Sequence, residues 1–129
     1  RQIGGKAVAR VYDSGTAEGW KSLIAAAALP HLPDKPLEGP LRIDIVFHMP
    51  RPKRLMRKRD HDGPIWCDKK PDRDNLDKSV LDALKTIGMY RDDAQVCAGE
   101  PSKYYHSKAE IPHAYITIIE LCSETNHAT

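Results

Sequence analysis

The chain contains no apolar run long enough to cross a bilayer; the longest candidate, Leu23 to Leu29, falls in an alanine-rich stretch. No signal peptide is visible. Cysteine is scarce: Cys67, Cys97 and Cys122 form no C-x-x-C pair and their number is odd. That argues against a disulfide framework and for a reducing, cytoplasmic setting. The six histidines show neither H-E-x-x-H nor zinc-finger spacing. Gly4-Gly5-Lys6 lacks the remainder of a P-loop. An EF-hand loop begun at Asp72 fails, because Leu76 and Asp77 stand where an oxygen ligand and a glycine are required. There is no internal repeat and no low-complexity tract. The first residue is Arg1 rather than Met, which leaves room for a strand or loop upstream.

What is present is charge, unevenly distributed. The 129 residues suit a single domain over 1–129 with one modest core, and their net charge is only +2. Yet Arg51, Lys53, Arg54, Arg57, Lys58 and Arg59 are six basic residues within nine positions and no acid interrupts them. Subtracting those six from the net +2 leaves the rest of the chain near −4. Such asymmetry points to a local polyanion-binding surface, with a solvated basic loop as the plain alternative.

Periodicity gives the elements. Lys6 to Tyr12 alternates as a short strand. Asp13-Ser14-Gly15 marks a turn and Thr16 can cap the helix that follows. Ala17 to Leu29 is helical, ended by Pro30, with Trp20, Leu23, Ile24 and Ala27 on one face. Residues 30–40, with four prolines, are a loop. Leu41 to Met49 alternates strictly, with Leu41, Ile43, Ile45, Phe47 and Met49 directed to one side, so it is a strand with one buried face. Residues 51–71 show no periodicity and are expected to form a long, mobile, basic loop. Asp74 to Ile87 is a helix with an apolar stripe of Leu76, Val80, Ala83, Leu84 and Ile87, capped by Gly88. Gln95 to Tyr105 and His113 to Leu121 are expected to pair as a hairpin, followed by a polar tail, 123–129. The order β-α-β-α-β-β implies an α+β domain with two helices and a small mixed or antiparallel sheet.

The chemistry gathers between Lys70 and Val96. Asp72 and Asp74 stand two residues apart at the start of the second helix, and Asp92-Asp93 follow its end. Each acid alone has a structural explanation: Asp74 can N-cap the helix with Asp77 as its capping-box partner, Asp72 can be a surface residue, and Asp92 and Asp93 can form a turn. Together they are costly. In an extended segment, residues two apart point the same way. Two charges about 4 Å apart repel by roughly 4 kcal/mol at an effective dielectric of about 20. A protein tolerates that where a cation sits or a proton is shared. Lys78, one turn after Asp74, either pairs with it or meets a scissile phosphate. Asp82 is expected to pair with Lys78 or Lys85. Acids that gather divalent metal beside cations that hold phosphate are what metal-dependent cutting of nucleic acid needs.

The segment PDRDNLDKSVLDAL followed by GMYRDDAQV resembles the signature of the RusA family of Holliday-junction resolvases. The pattern is specific: D-x-D-N-L-x-K, then D-A-L, then D-D-A-Q-V after the helix. The resemblance implies a homodimeric, Mg²⁺- or Mn²⁺-dependent endodeoxyribonuclease that nicks four-way DNA junctions symmetrically. It makes Asp72, Asp74 and Asp93 the catalytic, metal-holding carboxylates and Lys78 a functional lysine, with Asp92 adjoining the third carboxylate. Hydrolysis by a water activated at the metal would leave a 5′-phosphate and a 3′-hydroxyl. Arg51, Lys53, Arg54, Arg57, Lys58, Lys69 and Lys70 are then expected to neutralise DNA phosphates. Trp66 either stacks on an exposed base or anchors its loop. The stretch from Arg57 to Lys69 is an insertion relative to compact members of that family. Two alternatives share these residues: a nuclease of broader structural tolerance, and a catalytically silent junction-binding dimer.

Overall fold

The computed structural model describes residues 5–10 and 17–121, with side chains from Gly19 onward. The end of the first expected strand, the turn at 13–15, the Thr16 cap and the polar tail lie outside the described residues. Eight elements follow in order: β1 (Gly5–Arg10), α1 (Ala17–Ala28), β2 (Leu41–Met49), β3 (Ile65–Trp66), α2 (Arg73–Thr86), β4 (Val96–Ala98), β5 (Pro101–Tyr105) and β6 (His113–Glu120). No helix among the described residues is long and apolar enough to cross a membrane.

The sheet is mixed, in the order β1-β6-β2-β5-β3, with β4 also pairing with β2. Its axis is β2, whose strict alternation buries Leu41, Ile43, Ile45, Phe47 and Met49 as the sequence anticipates. Both helices lie against that buried face. Leu76, Val80, Ala83 and Leu84 form the inner stripe of α2, and Ile87 packs at its margin. In α1 the buried residues are Trp20, Ile24 and Ala28, while Leu23 is 38% exposed. The inner face of α1 therefore runs through i, i+4 and i+8, not through Leu23. Trp20 meets Phe47 edge to face at 5.6 Å and 79°, an arrangement that adds about 1 kcal/mol to the burial of the two rings.

The expected hairpin does not form. β5 runs parallel to β2, from Ile45↔Pro101 to Met49↔Tyr105, and β6 runs antiparallel along the other edge of β2, with His48 opposite His113. Residues 106–112 thus arch over the end of β2 to join strands that are not neighbours. The expected single strand from Gln95 to Tyr105 is also divided. Gly99 adopts φ +119°, and a Cβ there would stand 1.9 Å from the Ile43 carbonyl oxygen. Only glycine permits that approach, and it separates β4 from β5 along one edge of β2. The short β3, hidden between Pro64 and Cys67, adds an edge strand against β5 from within the 57–69 insertion.

The 51–64 loop is built around a buried cation, not left loose. Arg51 is 8% exposed. It donates from Nε to Leu55 O (2.8 Å), from Nη1 to Gly63 O (2.8 Å) and His106 O (3.2 Å), and from Nη2 to His61 O. Lys108 fastens the same loop from the 106–112 arch, with Nζ donating to Arg57 O (2.6 Å) and Asp60 O (2.7 Å).

Candidate active site

The start of α2 lies one residue earlier than the sequence suggests. Asp72 is the N-cap, with extended backbone angles and no capping hydrogen bond from its side chain. Asp74 sits inside the first turn, so the Asp74–Asp77 capping box that the sequence allows is absent. Asp72, Asp74 and Lys78 are all exposed, and among the described residues none of the three makes an ion pair. The segment leading into α2 is held from below by Lys103 of β5, whose ammonium donates to Pro71 O (2.7 Å) and to Lys69 O.

At its far end α2 closes with a Schellman turn. Gly88 takes φ +90°, its N–H reaches Lys85 O (3.0 Å), and Met89 N–H reaches Leu84 O (3.0 Å). The chain then doubles back along the helix. The Tyr90 hydroxyl lies 2.6 Å from Leu81 O and 3.0 Å from Asp93 Oδ1. Burial, and after it the Asp93 carboxylate, push the Tyr90 hydroxyl far above the usual phenol range, so it is a permanent donor. Asp93 is thereby set beside Leu81, seven residues and about 10 Å along the axis from Asp74. Within one chain the third carboxylate returns to the middle of α2 and not to its start.

The two adjacent aspartates divide their work. Asp92 caps the 3₁₀ turn Asp93–Gln95 by accepting from Ala94 N–H (3.0 Å), and Gln95 Oε1 accepts from Asp92 N–H (2.9 Å). Gln95 Nε2 donates to Leu37 O and Gly39 O, 3.0 Å each, tying the turn to the proline-rich loop. Asp93 is left to face an open cleft of about 480 Å³ that it shares with Lys21, Lys78, Ser79, Leu81 and Asp82. Asp82 pairs with Lys21 of α1 at 2.5 Å, not with Lys78 or Lys85 as expected. That pairing leaves the Lys78 ammonium uncommitted. Asp74, Lys78 and Leu81 fall on one i, i+4, i+7 line, so two carboxylates and a free ammonium are strung along a single exposed edge of α2.

The expected DNA-binding cations are placed unequally. Lys53, Arg54, Lys58, Lys69 and Lys70 are exposed. Arg57 is exposed but pairs with Asp60 at 3.1 Å. Arg51 is spent inside the loop on carbonyls and presents no charge to solvent. Trp66 is 67% exposed and stacks on Tyr104 at 4.3 Å. Beside the start of α2 a second hollow of about 330 Å³ is lined by Trp66, Arg73 and Lys103 among others. Sequence reasoning misses Tyr90, Lys103 and Lys21. A signal for Tyr90 exists: a buried aromatic two residues past a helix-ending glycine must fold back onto that helix.

The profile of the family described as Endodeoxyribonuclease RusA matches residues 1–119. A relative, the uncharacterised protein YqaN of Bacillus subtilis (strain 168), is 31% identical over 114 residues, covering 84% of this chain and 78% of YqaN.

Proposed function

Because the chain belongs to the RusA family of endodeoxyribonucleases, we propose that it is a homodimeric, Mg²⁺- or Mn²⁺-dependent nuclease that resolves four-way DNA junctions by paired symmetric nicks. The observation that carries this reading is the exposed edge of α2, where Asp74, the uncommitted Lys78 and the Tyr90-held Asp93 follow one another. Asp72 and Asp74 carry no cation of their own. Such a set of carboxylate oxygens, open to solvent, suits a hard ion that keeps several of its waters. A divalent ion held there supplies Lewis acidity at the scissile phosphate. The protein's own groups do the rest. Asp72 and Asp74 would hold an ion at the start of α2, while Asp93, about 10 Å along the helix, would hold a second ion or complete the site of the partner subunit, with Tyr90 fixing its direction. Lys78 offers its ammonium to the phosphate oxygens as charge develops on them. Lys103 positions Asp72 through the Pro71 carbonyl. Lys53, Arg54, Lys58, Lys69 and Lys70, with Arg57 in part, neutralise backbone phosphates. A two-fold dimer matches the near-two-fold symmetry of the junction, giving one nick per subunit.

The test is nicking of a labelled synthetic four-way junction in Mg²⁺ and in Mn²⁺, alongside linear duplex, flap and single strand of the same sequence. Paired symmetric nicks confined to the junction are expected. Cleavage of every branched substrate would replace this reading by a structure-tolerant nuclease. Tight binding without cleavage in either metal would leave a silent junction binder.

A further inference from the structure

On the helix-free face of the sheet, far in sequence from the α2 carboxylates, His48, Glu110 and His113 bring one ligand atom each to within 4.8 Å of one another. His48 ends the outward row of β2 and stands opposite His113 of β6, their rings 4.2 Å apart and nearly parallel. Glu110 reaches them from the 106–112 arch. Two of the three groups are already oriented by hydrogen bonds. The His113 Nδ1 lies 2.8 Å from Ile111 O; a carbonyl can only accept, so Nδ1 carries the proton and Nε2 is left with its lone pair. Ser107 Oγ donates to Glu110 Oε1 at 2.9 Å. Outer contacts of this kind, a backbone carbonyl on imidazole and a donor on carboxylate, orient metal ligands. The His48 Nδ1 is shielded from solvent and has no hydrogen-bond partner, an uncompensated buried polar atom that calls for one.

We propose that His48, Glu110 and His113 form a second metal site, for Zn²⁺ or a similar first-row ion, which clips the 106–112 arch to the end of β2. Two imidazole nitrogens and one carboxylate oxygen favour such an ion over Mg²⁺, and they leave one position for water. Tetrahedral zinc with ordinary bond lengths needs donors about 3.3 Å apart, so binding draws the three groups together by side-chain rotation and tilts the stacked rings. The consequence reaches the basic loop. Lys108 lies within the arch and holds the Arg57 and Asp60 carbonyls, and the His106 carbonyl receives Arg51. A metal that fixes the arch therefore fixes the scaffold on which Lys53, Arg54 and Lys58 are displayed. None of this depends on the nuclease reading.

The test is titration of the metal-stripped protein with Zn²⁺ in excess Mg²⁺ by calorimetry, with the bound metal counted after dialysis. Co²⁺ serves as a visible-absorption probe of tetrahedral nitrogen and oxygen ligation. One Zn²⁺ per chain is expected. Glu110→Gln, at an exposed position, and His113→Gln should each weaken binding by roughly tenfold or more. Asp74→Asn should bind Zn²⁺ as the parent does. Zn²⁺ should also slow amide exchange in 106–112 and 57–63. Absence of saturable Zn²⁺ binding, or unchanged affinity in both Glu110→Gln and His113→Gln, would overturn the site. Binding that leaves exchange in both segments untouched would overturn the clip.

Discussion

Along α2 the side chains of Asp74 and Lys78 point outward and the backbone needs neither, whereas in the 51–64 loop the backbone hangs from one charged side chain turned inward. The difference follows from where each segment's carbonyls go. A helix satisfies its own, so the side chains of Asp74 and Lys78 are not needed by the backbone. A loop without periodicity leaves its carbonyls unpaired, and the Arg51 guanidinium, with several fixed donors, collects those of Leu55, Gly63, His106 and His61. Charge in the sequence thus encodes two jobs, and local hydrogen bonding decides which one a residue takes.

The sharpest way to separate these jobs is to neutralise one group in each region. Asp93→Asn is expected to lower the nicking rate about 10³-fold, roughly 4 kcal/mol at the transition state. Its unfolding midpoint should stay within the range of an ordinary surface change, about 0.5 kcal/mol. Arg51→Ala should do the reverse to the fold, costing about 3 kcal/mol by thermal or denaturant unfolding because four carbonyls, one of them buried, lose their donor together. Arg51→Lys should recover little, since one ammonium cannot span the same carbonyls. Retention of parental stability by Arg51→Ala would erase the contrast between the two regions.

Smaller effects sharpen it further. Alanine at Lys53, Arg54 or Lys58 should leave the fold intact and reduce the slope of log affinity against log salt by about 0.9 for each phosphate that is no longer neutralised; an unchanged slope would remove that residue from the DNA surface. The smallest effect concerns Asp77, on the inner side of α2. Burial raises its pKa above the usual carboxylate value, with Arg73 opposing. The native state therefore holds this proton more tightly than the unfolded chain. Stability falls as pH rises from the unfolded value near 4 through the raised native one. Asp77→Asn should be more stable than the parent at pH 7, by less than about 1 kcal/mol, and equal to it near pH 3. Equal stability at both pH values would contradict the assignment.

Much of this architecture is legible without coordinates, for a physical reason. β2 and α2 show their periods because one face of each is buried, and a buried face leaves an apolar repeat. Pairing partners leave no such trace. Nothing in 101–105 or 113–120 states that β2 lies between them, so their adjacency in sequence suggests a hairpin that the fold does not contain. Gly99 looks like any other glycine until the Ile43 carbonyl is placed against it. The acidic pattern around α2 is readable because carboxylates close in sequence are costly without a cation, yet the separate roles of Asp92 and Asp93 depend on Ala94, Gln95 and Tyr90 in three dimensions. The role of Arg51 is hidden most completely, since its partners span residues 55 to 106.

The proposed function assigns cutting and holding to different groups of this molecule and gives Asp93 to the cutting alone. The direct measurement takes one preparation of Asp93→Asn and records both its affinity for a four-way junction and its rate of nicking that junction in Mg²⁺. The expected result is affinity within about twofold of the parent and nicking reduced about 10³-fold. Nicking at the parental rate, or a loss of affinity large enough to explain the loss of nicking, would contradict that separation.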